Sequence, residues 1–588
     1  MSTDTPHTSL PSQKELEKEL SDYLSRKYGE RVKIISSGFV PHVAHDDGPP
    51  APESAVEAKK PFDFRVTPEE LVAYLDEYVV RQDEAKAVLA TKICTHFNRI
   101  RLAEENPKLV RRDVGMIKNN VLLMGPTGVG KTFLVKLIAQ RLGVPFIKGD
   151  ATKFSETGYV GGDVDDLVRD LVREADGDIE RAQYGIIYVD EIDKIAASQH
   201  RLGPDVSRTG VQRALLKPME ETEVELKTPH DPISQLEAIE HYRSTGKRQL
   251  RRVNTRNILF IMSGAFAGLD EIVKKRLQQY SMGFESTVTS RKDTGRFVKQ
   301  VRAEDLIEFG FESEFVGRLP VIAVLDELTE GDLYAILANP NSSVVVGKRQ
   351  DFLAYGIRIL FEDEALRAMA REAVAEQTGA RGLVSVMEKT LLHFEKKLPS
   401  TEIRYLVVTS AMVAAAAAEL KRLLDDPQCR DWHRRRYEEL AEAGRQDIAA
   451  RLLGQRGEYL AAHDVLPTPA RLALMACQCQ EDNLDLQAVC DIFVDRVAEI
   501  RQCAEKLSTR CGIGVFFSEE AVDHILARQP RTSAAIGALC EKLSSEFEYG
   551  LRLLAEKKGI DEVVISAEGI DAPARFINSL VSQKFKLD

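Results

Sequence analysis

The stretch Gly125-Pro-Thr-Gly-Val-Gly-Lys131-Thr132 constrains this chain more than any other. It fits the pattern G-x-x-x-x-G-K-[ST], and the apolar run Val121–Met124 leads straight into it. The glycines let backbone N–H groups turn inward around phosphates. A helix beginning at Lys131 adds the positive end of its dipole. A loop of this kind sits between a buried strand and a helix, so the surrounding fold is expected to be α/β. Gly125, Pro126, Thr127, Gly128, Val129, Gly130, Lys131 and Thr132 are the expected nucleotide contacts. Lys131 would reach the β and γ phosphates, and Thr132 would face a Mg²⁺ ion.

Sixty residues on, Ile186-Ile-Tyr-Val189 ends in Asp190-Glu191. An acidic pair at the end of a buried strand beside a phosphate loop suits ATP hydrolysis. Asp190 is expected to share the Mg²⁺ with Thr132, and Glu191 to orient and polarise the attacking water. The expected ligands are therefore ATP and Mg²⁺, and the expected activity is an ATPase. Ile258–Met262 is a third buried-strand candidate. Strands alternating with helical stretches predict a parallel sheet with helices on both faces. After about residue 330 helical periodicity takes over.

Composition sets the outer limits. With 588 residues, 44% hydrophobic and 29% charged, the chain can build several cores, roughly four by length. A net charge of −12 argues against nucleic acid as the main partner. No apolar run approaches the roughly 18–20 residues that span a bilayer. Residues 1–30 lack the apolar centre of a signal peptide, so a cytoplasmic protein without a membrane partner is expected. The eight cysteines contain no Cys-x-x-Cys pair, which leaves a zinc ribbon unsupported. Cys477 and Cys479 read as ordinary helix residues. The run Arg434–Arg436 beside Trp432 reads as a solvated helix face.

Residues 13–28 read as a short charged helix, and the prolines of 41–60 mark a linker. One internal repeat is visible. Gly356-Ile-Arg-Ile-Leu-Phe-Glu-Asp-Glu-Ala365 resembles Gly512-Ile-Gly-Val-Phe-Phe-Ser-Glu-Glu-Ala521, and Tyr405–Thr409 resembles Glu562–Ser566. Residues 512–570 read as a diverged copy of 356–413 without a phosphate loop of their own.

With these motifs in order, the chain resembles the Clp/Hsp100 branch of the AAA+ ATPases, from about Pro61 to about Val413. The resemblance implies a large ATPase domain at 61–328, a small helical lid at 329–413, a helical extension at 414–511 and the degenerate copy at 512–588. It implies that Val79 and Val80 contact the adenine, although Arg81 stands where the family usually has glycine. Gly158-Tyr159-Val160-Gly161 matches the family's pore loop, whose Tyr159 and Val160 would grip a polypeptide substrate. Phe315-Val-Gly-Arg318 matches the arginine-finger box, and Thr378-Gly-Ala-Arg381 the second sensor. Ser263 is the candidate for the first sensor. Met282-Gly283-Phe284 falls where relatives dock a ClpP-type peptidase. The implied assembly is a homo-hexamer that unfolds protein substrates. The alternative is a regulatory or scaffold ATPase that remodels a partner without proteolysis. Two departures stand out. Residues 1–60 have no cysteine where relatives carry a four-cysteine zinc module. The stretch Thr228–Arg252 replaces the family's basic pore-side loop, and reads as a solvated surface.

Overall fold

The alternation of apolar residues along Val121–Met124 feeds both faces of one sheet. In the computed structural model, Leu122 and Met124 enter one core while Val121 and Leu123 enter the other. The structure describes residues 64–105, 118–155, 162–196, 206–226, 252–280, 297–482, 484–528, 533–555 and 562–585. All of them belong to a single compact unit, Pro61–Asp588. The expected helix at 13–28, the linker, Tyr159, Val160, Met282, Gly283, Phe284 and most of Thr228–Arg252 lie outside the described residues. Arg252 itself is described, and it pairs with Glu223 and Glu225 at 3.1 Å each.

The chain enters through α1 (Pro68–Tyr78) and α2 (Asp83–Glu105), then β1 (Val121–Met124), α3 (Lys131–Leu142), β2 (Phe146–Asp150), α4 (Asp165–Glu174) and β3 (Ile186–Asp190). Next come α5 (Val206–Met219), the short antiparallel pair β4 (Glu223–Glu225) and β5 (Arg252–Asn254), β6 (Leu259–Gly264), α6 (Leu269–Tyr280), α7 (Ser313–Gly317) and β7 (Val321–Val324). The main sheet has the order β2-β3-β6-β1-β7, and every neighbouring pair is parallel. Helices α1 to α3 cover one face and α4 to α7 the other, as both cores require. A parallel sheet buried on both sides gathers its loops at the carboxyl ends of the strands, where ligands bind.

A second core holds α8 (Glu330–Ala338), α9 (Ser343–Leu353), β8 (Arg358–Phe361), α10 (Asp363–Ala375), α11 (Ala380–Lys397), β9 (Tyr405–Val408) and α12 (Ser410–Asp425). Helix α13 (Pro427–Ala462) has 36 residues, about 54 Å at the α-helical rise. It leads to α14 (Pro469–Asp482), α15 (Leu486–Cys511), β10 (Gly514–Phe517), α16 (Glu519–Arg528), α17 (Ser533–Ala555), β11 (Glu562–Ile565) and α18 (Pro573–Phe585) around a further core. That core holds a fully buried Arg471, which meets Asp523 and Glu519 at 2.8 Å each and the Leu466 carbonyl at 2.8 Å. Removing either carboxylate would leave a buried charge uncompensated.

The two short parallel sheets correspond strand by strand. β8 pairs with β9 through Leu360↔Val407, and β10 pairs with β11 through Phe516↔Val564. Their surroundings differ. α13 lies over β8 and β9, and Leu360 and Val407 are buried. Phe516 and Val564 are 51% and 57% exposed.

The reading of Arg434–Arg436 as a solvated face needs correction. Arg436 reaches Glu362 at 2.8 Å, and His433 is buried, its Nδ1 accepting the Val407 N–H at 3.2 Å. Period 3.6 turns His433 and Arg436 toward the small sheet, while Arg434 and Arg435 stay exposed. Cys479 is buried and Cys477 partly so, and neither is in a disulfide. Among the described residues no cluster of three or more His, Cys, Asp or Glu side chains is placed to hold a metal, and no helix is long and apolar enough to cross a membrane.

Candidate functional site: a nucleotide cleft between two domains

The cleft forms where β1, β3 and β6 end. Gly130 (φ 94°) starts α3, and no side chain caps the helix. Its first N–H groups therefore remain available to an anion. Lys131 folds back so that its ammonium donates to the Gly125 and Pro126 carbonyls at 2.6 and 2.8 Å. Burial holds its pKa below the ordinary lysine value, against the pull of Asp190 and Asp193. A desolvated cation resting on two neutral carbonyls fits a site built to receive phosphate.

Asp190 ends β3 and stands 3.5 Å from the Thr132 hydroxyl. Burial works to raise its pKa, but Lys148, the Glu191 N–H and Lys131 together hold the carboxyl below its ordinary value. The Lys148 ammonium lies 2.9 Å from Asp190 Oδ2. Thr132 also donates to the Tyr188 hydroxyl at 3.0 Å, and Tyr188 donates to Asp190 Oδ1 at 3.3 Å. Burial keeps that phenol protonated, so it acts as a donor. A hydroxyl and an ionised carboxylate side by side form the oxygen donor set that suits Mg²⁺. Thr132 and Asp190 are the residues that could hold it.

Glu191 is exposed and adopts φ 58°, ψ 31°, a left-handed conformation that a glutamate rarely takes. Its N–H bonds to Asp190 Oδ1 at 3.1 Å. The turn thus swings the Glu191 side chain off the line of the strand. Backbone strain of this kind gathers at working sites. Asp193 lies beneath, 8% exposed, its Oδ1 3.3 Å from the Ala265 N–H.

The second domain closes the cleft. Thr378-Gly-Ala-Arg381 packs backbone to backbone on the phosphate loop, and the Ala380 N–H donates to the Gly128 carbonyl at 2.9 Å. A Cβ on Gly128 would meet the Thr378 oxygen at 2.0 Å, so only glycine fits there. The cleft, about 430 Å³, is lined by Val79, Val80, Thr127 to Thr132, Asp190, Glu191 and Arg381 among others. That volume suits a nucleotide-sized ligand.

Most residues read from the sequence converge on this cleft. Arg318 does not line it. It caps the end of α7 and pairs with Glu220 at 2.6 Å, half exposed on the surface. Ser263 is fully buried on β6, and the neighbouring Gly264 and Ala265 face the cleft instead. Sequence reasoning missed Lys148, Tyr188 and Asp193. Lys148 and Tyr188 are register partners on β2 and β3. A lysine within a short strand following the phosphate loop was the available signal.

The family model described as AAA domain (Cdc48 subfamily) matches residues 117–322. The chain is 39% identical over 366 residues to the "ATP-dependent Clp protease ATP-binding subunit ClpX" of Treponema denticola, covering 61% of this chain and 84% of that protein. It is 40% identical over 385 residues to the proteins of the same name from Borrelia duttonii and Borrelia recurrentis, covering 63% of this chain and 84% of each. A phosphate loop, an acidic strand end and a lid arginine in one cleft, together with this coverage, place the chain in the ClpX family of ATP-dependent Clp unfoldases, and it is a nucleotide-binding AAA+ ATPase.

Proposed function

We propose that the chain works as a homo-hexameric, cytoplasmic unfoldase that pulls polypeptide through a central pore. The observation that carries this reading is the lid contact. Arg381 and the Ala380 N–H reach the phosphate loop of the same chain, whereas Arg318 lies outside its own cleft. An arginine finger supplied by a neighbouring subunit supports both features, because each site would then be completed only in a ring.

In this mechanism Gly125 to Thr132 hold the triphosphate, and Val79 and Val80 contact the base. Magnesium, held by Thr132 and Asp190, would draw charge from the phosphates. Lys131 leaves its carbonyls for the β and γ oxygens. Glu191 orients water in line with the γ phosphorus and takes up its proton. Arg318 of the adjacent subunit and Arg381 stabilise the charge that develops on the transferred group. Because Arg381 belongs to the lid, loss of the γ phosphate loosens the lid, and the resulting rotation would move Tyr159 and Val160 along the substrate. Met282-Gly283-Phe284 is the proposed contact to a ClpP-type peptidase.

The test is Tyr159→Ala on the full chain, with unfolding of a fluorescent model substrate and ATP turnover measured together. Unfolding should fall at least about tenfold while turnover stays within about twofold. Unfolding at the unaltered rate would instead support a regulatory ATPase that does not thread.

A further inference from the structure

Strand β2 stands at one end of the main sheet, beside β3. Lys148 lies at its centre, directly opposite Tyr188 on β3. Cross-strand partners project to the same side of a sheet, and so do residues two apart on one strand. Lys148, Tyr188 and Asp190 therefore share one face. The lysine arm runs past the Tyr188 ring, with the ammonium 6.0 Å from its centre, and ends 2.9 Å from Asp190 Oδ2.

The two oxygens of Asp190 are used differently. Oδ1 accepts from the Tyr188 hydroxyl at 3.3 Å and from the Glu191 N–H at 3.1 Å, so it fixes the carboxylate in place. Oδ2 faces the Thr132 hydroxyl at 3.5 Å and is the oxygen left for a cation. The cation resting on it is the Lys148 ammonium. Among the described residues Lys148 is the one ion-pair partner of Asp190. Lys131 does not take that place, since its ammonium rests on the Gly125 and Pro126 carbonyls. Glu191 and Asp193 line the same cleft, and carboxylates gathered in this way repel one another without a counter-charge. Lys148 itself does not line the cleft, and its side chain is 45% exposed. A partly solvated ion pair on a flexible four-carbon stem is weak enough to part when a stronger cation competes.

We propose that Lys148 is a positioning residue for ATP hydrolysis, a built-in cation that holds Asp190 Oδ2 in the metal-free site and gives it up to magnesium. The inference rests on the reading of Thr132 and Asp190 as the residues that hold the metal. Lys148 keeps the carboxylate oriented while the site is empty, and it reclaims Oδ2 once the product is released. The same ammonium opposes a dication at Asp190, so it lowers the affinity of the site for magnesium. A neutral side chain at position 148 should give a site that grips the metal more tightly.

The test titrates MgCl2 into the full chain with ADP carrying a fluorescent N-methylanthraniloyl group. The quantity read is the magnesium concentration at half of the metal-dependent rise in nucleotide binding. Lys148→Met keeps an unbranched apolar stem. It should lower that midpoint by about three- to tenfold, because a dication no longer meets a nearby unit charge in a partly screened site. Lys148→Arg keeps the charge and should stay within about twofold of the wild type. The direction separates this role from a structural one, since loss of a lysine that merely braced the sheet would leave a site needing more magnesium. Asp190→Asn should raise the midpoint at least about tenfold. If Asp190→Asn leaves it in place, the metal reading of Asp190 fails and the role of Lys148 falls with it. If Asp190→Asn raises it while Lys148→Met leaves it unaltered or raises it, the role of Lys148 alone is overturned. Lys148→Arg lowering the midpoint as far as Lys148→Met would overturn that role as well, because charge would not be its cause.

Discussion

Arg81 shows how a single residue settles an apparent departure from the family. Glycine is usual at that position, and the backbone there has φ 61°, where an L side chain is strained and glycine is not. The Arg81 guanidinium reaches Asp332 at 2.8 Å and the Glu327 carbonyl at 3.3 Å, linking the segment after Val80 to helix α8. Arg81→Gly should lose the exposed ion pair and relieve the strain, leaving stability within about 1 kcal/mol of the wild type. Arg81→Ala should lose the pair and keep the strain, falling about 1 kcal/mol below Arg81→Gly. Denaturant unfolding of both variants checks the order. An alanine variant at least as stable as the glycine variant would rule out strain at this position.

At the scale of elements, the two small sheets are natural controls for one another. Leu360 is buried beneath α13, so Leu360→Ala should cost about 2–5 kcal/mol. Phe516 holds the corresponding position in β10 but is 51% exposed, so Phe516→Ala should cost less than about 1 kcal/mol. Comparable losses in denaturant unfolding would mean that the two sheets are covered alike. The α13 contact also carries a pH dependence. Burial holds His433 down to about 4, with Glu362 and Arg422 pulling in opposite directions. Its Nδ1 must stay unprotonated to accept the Val407 N–H. A folded pKa depressed below the unfolded value of 6.5 gives stability that is present above 6.5 and lost as pH falls toward 4. The loss is at most on the order of 3 kcal/mol for this group. His96, buried and also held at about 4, adds a similar slope in the same window. His433→Asn should therefore remove about half of the slope between pH 6.5 and 4, measured by urea midpoints. An unaltered slope would clear His433 of this role.

At the scale of the molecule, the extension after residue 413 is tied to the ATPase core at the edge of the nucleotide cleft. Arg456 on α13 meets Glu77 on α1, and Asp485 before α15 meets Tyr78. Tyr78 in turn lines the cleft. The extension is thus packed against the helix end that borders the cleft. Arg456→Gln should weaken this tie by about 1 kcal/mol. Amide exchange over residues 75–79 should then speed up by roughly three- to tenfold. Unchanged exchange would mean that the tie contributes nothing.

The sequence alone pointed to a nucleotide-binding ATPase. The spacing of Gly125 to Thr132, the apolar run ending in Asp190-Glu191 and the order of the motifs depend on local backbone geometry, which a linear pattern records. Its likeness of Gly356–Ala365 to Gly512–Ala521 falls on two segments that each supply a strand to a two-stranded parallel sheet. The tertiary structure decided the rest, because those contacts join residues far apart in the chain. The closeness of Gly128 to Thr378, the pairing of Lys148 with Asp190 across two strands, and the burial of His433 beside an arginine run all depend on which face meets which neighbour. Charge and periodicity are properties of the chain, whereas the choice of a partner is a property only of the packed molecule.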